Sequence, residues 1–150
     1  MSEAPYHLHA SLGYSLSIAS RQQERRLDEQ LKALGLTRIT WCIILAVGNE
    51  GLTQPSDIAT FVGIDRTATS RALRQMEAAK LLDRQSGTED RRTRQVTLTR
   101  KGRKALETGT PIARGNNAKL AETLTAEEAA LLKDLLDRMI ASDDKDLTYI

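Results

Sequence analysis

Residues 65–77 read DRTATSRALRQME, a stretch without glycine or proline. At helical spacing Thr69, Leu73 and Met76 fall on one face, and Thr67, Ser70, Arg71 and Arg74 fall on the opposite one. The second face has a definite chemistry. Hydroxyls bond base edges or phosphate oxygens, and a guanidinium grips guanine or phosphate through parallel N–H donors. A second cluster lies in GTEDRRTR, where Asp90 is followed by Arg91, Arg92 and Arg94. Like charges crowded on a turn repel one another, so these arginines suit a polyanion, and a narrow cationic tip suits a minor groove.

The charge of the whole chain is segregated around these residues. Residues 65–104 carry twelve basic and five acidic side chains, +7, whereas residues 121–150 carry eight acidic and three basic, −5. Residues 1–34 balance at four of each sign, and the total is only +2. A basic middle between neutral and acidic ends points to a phosphate-bearing partner.

Other chemistries find little support. One cysteine, Cys42, cannot pair within the chain, and with His7 and His9 it is too scattered for a zinc site, so no metal or cofactor is expected. No nucleophile, base and orienting group occur in a recognisable local pattern, and an enzyme is not expected. No apolar run reaches the roughly 18 residues of a membrane span. The start, MSEAPYHLHA, lacks the layout of a signal peptide, so a cytoplasmic protein with no membrane partner is expected. Aromatic residues are 3% of the chain, too few for the stacking platforms that single-stranded nucleic acid requires. A winged-helix module that binds protein or RNA remains the competing reading.

The elements that must position these residues follow from the same sequence. With 150 residues, 40% of them hydrophobic, the chain is long enough for one domain with a real core. Leu8, Leu12, Leu16 and Ala19, then Leu27, Leu31 and Leu34, form the stripe of a long first helix that Gly35 ends. Thr37 caps a second helix, apolar on several sides and therefore central, and Asn49 to Gly51 close it. Pro55 opens a short third helix stopped by Gly63, and Asp65 caps the fourth. Leu81–Ser86 and Arg94–Leu98 read as strands of a hairpin, with Val96 and Leu98 inward and Gln95 and Thr97 outward. Thr99 caps a further helix, which is expected to be interrupted around Gly109, Pro111 and Gly115. TAEE at residues 125–128 is a capping box for a last helix with Leu131, Leu132, Leu135, Leu136, Met139 and Ile140 on its apolar face. The fold class is thus mostly α with a small β-hairpin wing, a winged helix-turn-helix between terminal helices.

At residues 65–77, at LLDR (81–84) and at DRRTRQVTLTRKG (90–102) the sequence resembles the MarR family of bacterial transcriptional regulators. The likeness extends to the long first helix, to Trp41 in the second and to LTAEE at residues 124–128. It implies a homodimer with interlocked terminal helices and two winged heads on double-stranded DNA carrying a pseudo-palindromic operator. Residues 1–36 and 105–150 would form the dimerisation region and residues 37–104 the DNA-binding region. Carried over residue by residue, the recognition contacts fall on Thr67, Ser70, Arg71 and Arg74, with Arg66 adjacent. The wing contact falls on Arg92, with Asp90 bracing the loop and Arg91 and Arg94 beside it. The family also implies a repressor released by a small-molecule effector, with activators and oxidant sensors as variants. Tyr14 and Trp41 are the aromatic candidates for an effector cleft between the dimer helices and the head. Two positions depart from the family pattern: Lys80 stands where a helix-ending glycine is usual, and Thr69 replaces an apolar residue on the buried face.

Overall fold

The computed structural model describes residues 2–86 and 94–142. Ser11, accepting a bond from the Tyr14 amide at 3.2 Å, starts α1 (Leu12–Lys32). The expected stripe therefore begins one turn late, because Leu8 lies in a separate 3₁₀ turn at Leu8–Ala10. Leu31 is fully buried, while Leu8, Leu12 and Leu16 are exposed. Gly35 reverses the chain at φ 71°, and the Leu36 amide reaches back to the Leu31 carbonyl at 3.1 Å.

α2 (Arg38–Gly48) begins with a reciprocal cap in which the Thr37 and Thr40 side chains each accept the other residue's amide. It is the centre of the molecule. Thr40, Trp41, Ile43, Ile44, Ala46 and Val47 are all buried, as expected of a helix apolar on several sides. α3 (Pro55–Val62) ends at Gly63 with φ 82°, and α4 (Arg66–Ala78) starts at Asp65, whose carboxylate accepts the Ala68 amide at 2.7 Å. β1 (Leu82–Ser86) and β2 (Arg94–Leu98) pair antiparallel with Leu82 opposite Leu98 and Arg84 opposite Val96. The Val96 amide also donates to the Thr53 carbonyl at 2.9 Å, which ties the hairpin to the chain entering α3.

α5 runs without interruption from Arg100 to Leu120 and contains Pro111, so the expected break around Gly109 to Gly115 is corrected. Pro111 removes one amide donor, but a single missing bond does not end a helix that is packed along its length. Gly109 serves a different purpose from a break: a side chain there would collide with the Trp41 ring. Gly102 has a comparable role, since a methyl group would strike the Leu81 carbonyl where α5 passes the base of the hairpin. α6 (Ala126–Ser142) opens with the expected box, Thr125 amide to Glu128 Oε1 at 2.9 Å and Glu128 amide to Thr125 Oγ1 at 3.1 Å. Among the described residues no helix is long and apolar enough to cross a membrane.

Lys80 takes the left-handed conformation, φ 64°, and is the one described non-glycine residue with positive φ. The turn it makes still satisfies the end of α4, because the Leu81 amide bonds the Met76 carbonyl at 2.9 Å. A lysine in this region costs about 1–2 kcal/mol, partly offset by its lower unfolded-state entropy relative to glycine. Lys80→Gly is therefore expected to stabilise the protein by about 0.5–1 kcal/mol, read as a rise in Tm of a few degrees. A fall in Tm would show that the Lys80 side chain makes a compensating contact.

Candidate nucleic-acid interface

The segment from α3 to α4 is fixed from below. Ile58 and Ile64 are buried, Gly63 supplies the left-handed turn, and the Asp65 carboxylate accepts the Ala68 amide in the first turn of α4. Leu73, Met76 and Thr69 anchor α4 in the core. Thr69 is 1% exposed, yet its hydroxyl donates to the Asp65 carbonyl at 2.8 Å, so the departure from an apolar residue leaves no unsatisfied group. With that face locked, Thr67, Arg71 and Arg74 form an exposed stripe, Arg66 is exposed and Ser70 is half-buried beside them. The predicted helix face is thus assembled on one side of one element.

Arg66 and Ser70 also line a depression of about 210 Å³ between the starts of α3 and α4, together with Pro55, Ser56 and Thr69. Ser56 was absent from the sequence-based set. No local pattern in the sequence set it apart; in the fold it lies in the first turn of α3, which has no side-chain cap, so its amide and hydroxyl are donors beside Arg66, with Asp57 the acidic residue of that turn.

Of the wing residues, Asp90, Arg91 and Arg92 lie outside the described residues. The backbone of Arg94 belongs to β2, opposite Ser86. Val96 and Leu98 are buried and Gln95 and Thr97 exposed, the alternation expected of the hairpin.

The head is joined to α1 through charge. Arg38 at the start of α2 meets Glu24 at 2.9 Å and Asp28 at 3.0 Å, and its amide also donates to Asp28 at 3.0 Å. Farther along α1, Arg26 Nε donates to the Asn116 side chain of α5 at 2.8 Å, and Asn116 donates to Gln23 at 3.1 Å. None of these residues was singled out in the sequence.

The two aromatic candidates for an effector cleft are not brought together. Tyr14 stacks on His9, with ring centroids 5.0 Å apart, and lines a shallow depression with Ser15, Ile18, Ala19 and Gln22. Trp41 is 4% exposed and packs against Gly109 in the core. Cys42 lies next to it in α2; burial pushes its thiol above the usual range, and the nearby Arg38 guanidinium only partly opposes this.

A family model described as the MarR family matches residues 34–93, from the end of α1 to the hairpin. Among solved structures, the chain is similar to Bordetella bronchiseptica BpsR, a protein whose DNA binding is regulated by 6-hydroxynicotinic acid. The TM-score is 0.85 at 25% identity over 93% of this chain and 100% of that one. It is also similar to Staphylococcus aureus MepR in complex with DNA, with a TM-score of 0.81 at 26% identity over 89% of this chain and 98% of that one. Escherichia coli MarR bound to operator DNA shares the fold, with a TM-score of 0.79 at 23% identity over 85% and 92% of the two chains. The matched segment contains the α3–α4 turn and the Ser, Thr and Arg face built on it, so residues 34–93 are similar to the MarR family of transcriptional regulators, and the chain as a whole shares the fold of BpsR, MepR and MarR.

Proposed function

We propose that the chain acts in the cytoplasm as a homodimeric repressor that reads a pseudo-palindromic operator and is released by a small molecule. The observation that carries this reading is the locked α4, whose buried side is fully packed and whose outer side offers Thr67, Arg71 and Arg74 with Ser70 at the edge. Thr67, Ser70, Arg71 and Arg74 contact base edges and nearby phosphates; Arg66 and Ser56 hold a phosphate at the depression between α3 and α4. Arg92 enters the neighbouring minor groove, with Arg91 and Arg94 on phosphates and Asp90 bracing the loop. Residues 37–104 form the DNA-binding region, and residues 1–36 and 105–150 the dimerisation region. That division falls inside α5, so the two regions share a helix.

Repression follows from occupancy of promoter DNA, and release follows from population shift. An effector that binds more tightly to a non-binding spacing of the heads draws the dimer toward it, by no more than its differential affinity. A raised Cys42 thiol is a poor nucleophile at neutral pH, which weighs against the oxidant-sensing variant of this reading.

The test is selection of duplexes from a random-sequence pool by the full-length protein, followed by footprinting of the winners. Enrichment of an inverted repeat with half-sites centred about 10 bp apart or a multiple of that is expected. Preference for single-stranded RNA, or no enrichment, overturns the reading.

A further inference from the structure

The cations of the head do not end with α4. α5 opens with Arg100, Lys101, Arg103 and Lys104, all exposed, and its first turn contains no acidic residue. Cations at the positive end of a helix work against its dipole, where carboxylates are favoured, so local helix stability does not account for them. They line an open depression of about 600 Å³ in which Glu107, 3.9 Å from Lys104, is the one carboxylate among the lining residues.

Two of the four cations are held in place from below. Lys101 Nζ donates to the Ala79 carbonyl at 2.8 Å, and Arg103 Nη1 donates to the Leu98 carbonyl at 3.2 Å. The Lys101 bond joins the patch to the residue that ends the reading helix, and the Arg103 bond joins it to the last residue of β2. The exposed stripe of α4 runs through Thr67, Arg71, Arg74 and Ala78 to Lys80, whose carbonyl accepts the Thr99 hydroxyl at 2.6 Å. A row of cations therefore continues from the recognition face over Lys80 onto α5.

We infer that the start of α5, with Lys80, forms a second strip that grips the phosphate backbone of duplex DNA flanking the bases read by α4. The inference rests on the DNA-binding reading above. α4 has 13 residues, about 20 Å of helix, so DNA engaged at both ends of this row must continue roughly 6 bp past the point where α4 begins to read. The partner is nucleic acid and not an acidic protein because the lining has no aromatic or aliphatic residue, whereas protein interfaces centre on such anchors. A phosphate backbone needs only the charges.

The experiment uses the full-length protein and one site selected from the random pool, on a duplex ending at the edges of the site and on a duplex extended by about 10 bp, one helical turn, at each end. Affinities are measured between 50 and 200 mM salt, roughly the range over which phosphate contacts are resolved. Wild type is expected to show a steeper salt dependence on the extended duplex. R100A/K104A removes two cations per subunit and should flatten that slope by about 3 to 4 units, at about 0.9 per phosphate contact. It should weaken binding to the extended duplex at least tenfold and leave the short duplex within about twofold, since each decade is one lost factor of ten in the equilibrium constant. R100E/K104E, which reverses both charges, should lose at least as much on the extended duplex while the fold is retained, read as a Tm near that of wild type. Equal slopes of wild type on the two duplexes, or variants that match wild type on the extended one, overturn the inference while the DNA-binding reading stands. A protein that selects no duplex at all brings down both.

Discussion

Arg71→Ala is expected to reduce the preference of the protein for its operator over an unrelated duplex by about 2 to 6 kcal/mol. The figure is one bidentate contact to guanine of roughly 1–3 kcal/mol in each of two half-sites, and it corresponds to a loss between about 30-fold and 10⁴-fold. Arg71 lies on the exposed stripe of α4, so its truncation removes little packing, and the fold is expected to survive unchanged. The measurement is the ratio of affinities for the two duplexes at fixed salt. An equal loss on both would assign Arg71 to phosphate and leave Ser70, Thr67 and Arg74 to read sequence.

The second large effect concerns assembly. α6 spans 17 residues, about 25 Å, and buries none of them, while Leu131 is 57% exposed and Leu132, Leu135, Met139 and Ile140 are also exposed. A single helix with such a seam does not hold itself in water. Fully burying a leucine contributes about 1.5–3 kcal/mol. Leu131 and Leu135 are 57% and 37% exposed, about one leucine's worth of surface per subunit, so L131D/L135D in both subunits of a two-fold pair removes about 3–6 kcal/mol, and it also places carboxylates in the seam. A dimer with a dissociation constant near 1 nM is held by about 12 kcal/mol, so the variant should sediment as a monomer or aggregate at micromolar concentration. A variant that stays a discrete dimer would place the interface elsewhere.

The local signals in the sequence were strong where a short-range rule decides the outcome. Thr and Asp caps, Gly63, Pro55 and the alternation at Gln95 to Leu98 each specify a few residues of backbone, and each took the form read from it. Pro111 shows the limit of such rules. Its chemistry argues for a break, yet α5 is held by neighbours distant in sequence, above all Trp41 against Gly109. The site was legible on α4 because its two faces are written at helical spacing in consecutive residues. Ser56 was not, since it meets Arg66 and Ser70 only after the turn at Gly63 folds α3 against α4. Likewise the link among Gln23, Arg26 and Asn116 joins positions about 90 residues apart and carries no local signature. The expectations for Asp90, Arg91 and Arg92 rest on the family resemblance and on charge.

The continuity of α5 has a mechanical meaning. Twenty-one residues make a rod of about 30 Å, its start fixed to Leu81 through the Thr99 amide and to the hairpin through Arg103, and its last third tied to α1 through Asn116. Tilting such a rod by about 10° swings its far end by about 5 Å, more than the 3.4 Å that separates successive base pairs. A helix broken at Pro111 would absorb that tilt in its joint, whereas an unbroken one delivers it whole. In the proposed dimer, a small rotation where the subunits meet is therefore enough to move each head by more than one base pair along the groove and to take two heads out of phase with one turn of DNA.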